Sequence, residues 1–193
     1  MSLGAGEAVI LIVILLIAMP VIGLVISYNR FISQRTLIET AWANIDTELR
    51  RRYDLIPNLV ETVKGYAAHE QGVLESVTRA RAAAVASTGS PQTQAADEGA
   101  LVGALRQLLA VSESYPDLKA DQRFGQLQEE LANTENRIQV ARRLYNTNVN
   151  QFNRRIDAFP SNLVAGWFKF AKREFFEVDE AIRDAGPPAV DFS

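Results

Sequence analysis

Residues 124–159 read FGQLQEELANTENRIQVARRLYNTNVNQFNRRIDAF, and Phe124, Leu131, Ile138, Tyr145, Phe152 and Phe159 recur in them at heptad spacing. A seven-residue apolar repeat keeps one seam of a long helix turned towards partner helices in a left-handed bundle, so this stretch sets the fold class as all-α. Leu127, Thr134, Ala141 and Asn148 at the companion positions turn small or polar, and Val149 and Ile156 take over the apolar role. Thr134 and Asn148 either fix register by hydrogen bonding inside the bundle or sit at a wet rim. The repeat predicts a long helix over 118–159.

Working back from it, helical periodicity continues almost everywhere and strand-like alternation is hard to find. Leu101, Leu105, Leu108 and Leu109 mark a helix over 97–113, closed by Tyr115-Pro116-Asp117. A Ser, Thr, Gly and Pro cluster over 87–94 reads as a surface loop. Val60, Val63, Ala67, Leu74 and Val77 mark a helix over 57–87. Pro57 disfavours helix at Ile56 and suits a first turn, so residues 54–56 are predicted to form a corner. Ile38, Ala41, Trp42, Ile45 and Leu49 share one face of the helix before that corner, and Trp42 joins the bundle seam. Asp46 with Arg50 and Glu48 with Arg52 have the favourable acid-first spacing four residues apart, for which a solvated face is a sufficient reading.

Further back still, residues 8–26, AVILIVILLIAMPVIGLVI, carry no charge. About 19 helical residues span roughly 28 Å, close to the hydrocarbon thickness of a bilayer. Their aliphatic side chains favour insertion by roughly 4 to 8 kcal/mol, more than Pro20 and Gly23 offset. Ala8, Leu15, Pro20 and Ile26 mark out this membrane anchor. A cleaved signal peptide fits less well, because no basic region precedes Glu7 and the apolar run exceeds the usual length. Arg30, Arg35 and Arg50 to Arg52 follow the span and only the terminal amine precedes it, so the positive-inside rule expects the N-terminus outside and the following domain in the cytoplasm.

Beyond the anchor lies enough chain for one domain, expected over 28–180, with a loose tail over 181–193 marked by Gly186-Pro187-Pro188. All 20 lysines and arginines, and all of the 23 acids except Glu7, fall after Ile26. That mildly acidic balance argues against nucleic-acid binding. Cysteine is absent, which excludes disulfides, thiolate chemistry, Cys-ligated metals and lipoprotein acylation. His69 is the only histidine, and Val73 stands where a zincin helix needs its second one. Glu61, Glu129, Glu130 and Asp46 could meet across a bundle, but the Glu-x-x-His repeats of di-metal bundles are missing. No catalytic, cofactor-binding or metal-ligating residue is therefore assigned, no cofactor is expected, and the chain reads as a non-enzyme.

The strings Tyr28-Asn29, residues 41–46 (AWANID), residues 51–60 (RRYDLIPNLV) and Val63-Lys64-Gly65-Tyr66-Ala67 with His69-Glu70 resemble the signature of the LemA family. Residues 115–120 (YPDLKA), Phe124, Leu127-Gln128, residues 134–138 (TENRI), Tyr145-Asn146, Phe152-Asn153 and Phe159-Pro160 are similar to its later half. This resemblance implies a single-pass bacterial inner-membrane protein whose soluble part is an antiparallel, up-and-down four-helix bundle. It implies no reaction. The family's association with membrane proteases, and its magnetosome-membrane members, point to envelope maintenance or membrane organisation. Asp121-Gln122 depart from the family pattern, where an Asn is common.

Residues 163–176 (LVAGWFKFAKREFF) are predicted to form a short aromatic helix with Val164, Trp167, Phe168, Ala171 and Phe175 on one face and Lys169, Lys172 and Arg173 elsewhere. In an up-and-down bundle the long helix returns towards the bilayer and delivers this segment to headgroup level. It is expected either to cap the bundle or to contact lipid or a neighbouring copy. The expected partners are thus the lipid bilayer, further copies of the chain in a homo-oligomer, and another envelope membrane protein. Two functions compete: a self-associating membrane-anchored scaffold, and an adaptor or regulator of a membrane protease or transporter.

Overall fold

The computed structural model describes residues 5–177, so the tail expected over 181–193 lies outside the described residues. Six helices follow one another: α1 (Ala5–Tyr66), α2 (Gln71–Ala86), α3 (Pro91–Ser112), α4 (Pro116–Lys119), α5 (Gln122–Asp157) and α6 (Ser161–Trp167). Among the described residues there is no strand, and the fold class is all-α as the periodicity requires. The described residues form two compact units, one of residues 5–39 and 147–173, the other of residues 40–146 and 174–177.

The second unit is an antiparallel four-helix bundle. Rising along α1, Trp42 meets Tyr145, Arg52 meets Glu135 and Tyr66 meets Asp121, so α5 descends as α1 ascends. The connections over 67–70 and 87–90 are too short for anything but reversal between consecutive helices. Ile38 in the first unit, and Ala41, Ile45, Leu49, Ile56, Leu59 and Val63 here, are buried along one face of α1, and Phe124, Leu131, Ile138 and Tyr145 along the seam of α5. Trp42 is half-buried beside the Tyr145 ring at 5.3 Å.

The corner expected over 54–56 does not form. Helix α1 runs straight through Pro57 and ends nine residues later at Tyr66. A proline inside a helix lacks the N–H that would bond the carbonyl four residues back, a loss of about 3 kcal/mol with its steric clash. Here the orphaned carbonyl is that of Tyr53, and Arg81 Nε of α2 donates to it at 2.7 Å. Apolar residues on both sides of the proline, Tyr53, Ile56, Leu59 and Val63, are buried on the same face. Burying that unbroken stripe outweighs the local preference.

Other boundaries shift for local reasons. Helix α3 begins at Pro91 rather than at 97, because Ser90 caps it by accepting from Thr93 N–H and Pro91 occupies the first turn. The expected long helix divides into α4 and α5, with Asp121 capping α5 through the N–H groups of Arg123 and Phe124 at 2.8 and 3.0 Å. Asn at that position would cap equally well.

In the first unit, α1 carries the apolar stretch, and Phe31, Val149 and Phe152 form its core. One helix of the described chain is long and apolar enough to cross a membrane, and none of its apolar window is buried. Leu15 and Ile26 are both more than half solvent-exposed, and Pro20 sits within the unbroken helix, as does Ala8.

Candidate functional site

The final aromatic segment departs most from expectation. Helix α6 stops at Trp167, so residues 168–176 do not continue a helix and the face drawn through Phe168, Ala171 and Phe175 does not exist. A Schellman motif ends it: Phe170 N–H donates to Ala165 C=O at 2.9 Å, Lys169 N–H to Gly166 C=O at 3.4 Å, and Lys169 takes a left-handed φ of 56°. Glycine is the usual residue there, and its absence hid the stop. What offsets the backbone strain is Phe170, whose ring stacks on Phe31 at 4.7 Å and meets Phe152 edge-on at 6.3 Å.

Beyond the motif the chain has no regular secondary structure and is held by asparagines. In the first unit Asn153 exchanges two hydrogen bonds with the backbone of Arg173, at 2.9 and 2.8 Å. In the second, Asn146 does the same with Phe176, at 3.1 and 2.9 Å, and Tyr145 Oη donates to Glu174 C=O at 3.0 Å. Phe176 is buried against Trp42. Each asparagine amide thus stands in for a neighbouring strand, which is why this segment needs no helix of its own.

This arrangement leaves apolar groups uncovered in the first unit. Phe159 is 80% exposed, Trp167 77%, and Leu163 and Phe168 are exposed too. Phe159 was expected in the seam, but α5 ends at Asp157, so heptad spacing no longer sets its direction. Phe168 keeps one side against the Tyr28 ring at 4.7 Å. Lys169 is exposed, Lys172 pairs with Asp157 at 2.8 Å, Arg173 is held through its backbone, and Phe175 is 37% exposed in the second unit. Asn148 lies half-buried, with Nδ2 donating to Leu37 C=O at 3.4 Å. The Thr134 hydroxyl donates within its own helix to Glu130 C=O.

A buried polar cluster, not expected from the sequence, sits in the bundle of the second unit. Arg52 reaches Glu98 with one guanidinium nitrogen and Glu135 at 2.8 Å with the other. Tyr53 Oη also donates to Glu98, and Gln94 Nε2 donates to the same carboxylate oxygen at 2.8 Å. Four helices contribute, since Gln94 and Tyr53 also approach Ala84 C=O at 3.3 and 3.4 Å. Burial, and after it the hydrogen bond to Glu98, pushes the Tyr53 phenol above its ordinary range. Arg52 was assigned to the solvated face with Glu48; only Asp46 and Arg50 form the expected surface pair, at 2.9 Å. Residue spacing along one helix cannot reveal a partner 46 positions away. Both oxygens of Glu98 are engaged by protein donors, while Arg52 Nε is buried without a partner, and the cluster reads as a structural pin.

Glu61, Glu129 and Glu130 are exposed and are not gathered with Asp46. Among the described residues no group of three or more His, Asp or Glu could hold a metal ion. His69 lies exposed in the turn after α1.

The pattern of the LemA family matches residues 41–192. Magnetosome proteins MamQ 1 and MamQ 2 of Paramagnetospirillum magneticum are each 26% identical over 199 residues, covering 90% of this chain and 73% of their own. Protein LemA of Metamycoplasma hominis is 26% identical over 156 residues, covering 80% of this chain and 71% of its own. The match begins inside α1 and takes in the polar cluster, the seam of α5 and the asparagine-held segment, and the chain belongs to the LemA family.

Proposed function

We propose that this chain is a non-enzymatic, single-pass membrane-anchored scaffold that self-associates at the bacterial inner membrane and serves membrane organisation or envelope maintenance. The observation that carries the reading is the exposed apolar surface of Phe159, Leu163, Trp167 and Phe168 in the same compact unit as the apolar stretch of α1. Large exposed apolar groups that cluster beside an anchor mark contact with lipid or with another protein. Among the described residues the one deeply buried carboxylate, Glu98, is bonded to Arg52, Tyr53 and Gln94. Such a molecule acts by shape and placement. The distribution of arginine after the span supports a cytoplasmic bundle.

Mass photometry and cross-linking of the detergent-extracted full-length protein test this reading. Homomeric particles larger than a monomer are expected, and Trp167→Ser with Phe168→Ser should reduce them or weaken the protein's hold on lipid vesicles. A stoichiometric complex with a different membrane protein, and no homo-oligomer, would instead identify an adaptor. Digestion of the bundle by protease added outside spheroplasts would reverse the assigned side.

A further inference from the structure

Three arginines converge where α1 leaves its apolar stretch. Arg30 of α1 and Arg154 and Arg155 of α5 line a cleft of about 600 Å³, together with Ser27, Gln34 and Ser161. All belong to the first unit. Among the described residues none of the three arginines has an ion-pair partner, and the nearby acids of that unit are engaged elsewhere: Glu39 with Arg35, Asp157 with Lys172. The Arg155 guanidinium lies over the Phe31 ring at 5.9 Å, and burial together with the charge of Arg30 lowers its pKa. Gathering like charges around a partly desolvated guanidinium is unfavourable unless an anion completes the group.

The cleft is also incomplete in hydrogen bonding. Ser27 Oγ, Gln34 Oε1 and Arg155 Nε are buried without a partner. Two of these can donate, and Gln34 Oε1 is an acceptor in need of a donor. Planar guanidinium forks match phosphate oxygens, and an unpaired acceptor beside them suits a hydroxyl. Position supplies the rest: Arg30 lies one helical turn, about 6 Å, beyond Ile26, which is headgroup depth when α1 spans a bilayer. A Cβ built on Gly23, at the apolar end of the cleft, would meet nothing within 4 Å, so that end is open.

We propose that this cleft binds the phosphate of an anionic, hydroxyl-bearing phospholipid headgroup of the phosphatidylglycerol type, held by Arg30, Arg154 and Arg155 with Ser27 and Gln34 on its polyol. The inference rests on α1 entering the membrane and not on self-association.

Native mass spectrometry of the full-length protein, loaded in neutral detergent with equimolar palmitoyl-oleoyl phosphatidylglycerol and phosphatidylcholine, tests it. Retained phosphatidylglycerol should exceed phosphatidylcholine. Arg30→Gln and Arg154→Gln alter exposed side chains that the core does not need. Each should lower that excess by about fivefold, as expected for one basic residue at an anionic surface. Arg51→Gln, which removes the same charge from an exposed site in the other unit, should leave it unchanged. No lipid preference, or an equal loss with Arg51→Gln, overturns the proposal. Displacement of the lipid by millimolar inorganic phosphate would assign the cleft to a soluble phosphate and overturn the lipid. The oligomer is read in the same spectra, so failure of the scaffold remains distinct from failure of the cleft.

Discussion

Replacing Arg52 by Met tests how the bundle is held. The side chains of Arg52 and Glu98 are each only 3% exposed, so removal of the cation leaves a carboxylate buried with two neutral donors, Tyr53 and Gln94. Breaking a buried pair on one side costs about 3–5 kcal/mol. Glu135, one-third exposed, regains water and adds little. At an m-value of about 2 kcal/mol/M, the urea midpoint should fall by roughly 2 M. The full-length protein in micelles reports through the half-buried Trp42, which lies against Tyr145 and Phe176. Arg50→Met, which breaks the exposed pair with Asp46, should cost no more than about 0.5 kcal/mol. The double variant Arg52→Met with Glu98→Leu should recover much of the loss, because no unpaired charge remains buried. A midpoint for Arg52→Met indistinguishable from that for Arg50→Met would refute the buried pair.

Arg81→Ala strips the Tyr53 carbonyl of its donor and should cost about 1–3 kcal/mol, whereas adding Pro57→Ala restores a helical N–H and should return part of it, as urea midpoints would record. Lys169→Gly relieves the left-handed backbone at the end of α6 and should stabilise by about 1 kcal/mol, with slower amide exchange at Phe170. Because the Tyr53 pKa is raised on folding, its contribution is complete below the ordinary tyrosine value and is lost as pH rises from there towards the folded value; Tyr53→Phe should remove that alkaline phase from the stability profile. The Asp121 pKa is lowered, first by Phe124 N–H and then by the Tyr66 hydroxyl, so its contribution is present above the ordinary carboxylate value and is lost as pH falls through the folded value. The stability gap between the native protein and Asp121→Ala should close over that acidic range.

The heptads of α5 and the uncharged run at the start of α1 were legible because periodicity and hydropathy are properties of neighbouring residues along one chain. The caps at Ser90 and Asp121 were legible in principle, since a short polar side chain before a helix carries its own donor accounting. Pro57 misled for the opposite reason. Its local preference is for a corner, and only a side chain from α2, meeting the carbonyl it orphans, lets the helix pass. The polar cluster and the irregular segment held by Asn146 and Asn153 depend likewise on residues far apart in sequence. So does the arginine cleft, which joins the exit of α1 to the end of α5. The sequence by itself determined the all-α class, an apolar stretch long enough to cross a membrane, and the buried seam of α5 as far as Phe152, each fixed by the pattern within a single helix. Tertiary structure alone decided where the chain turns, which charges are buried and which aromatics stay uncovered, because those outcomes follow from burial and pairing between helices that no local pattern encodes.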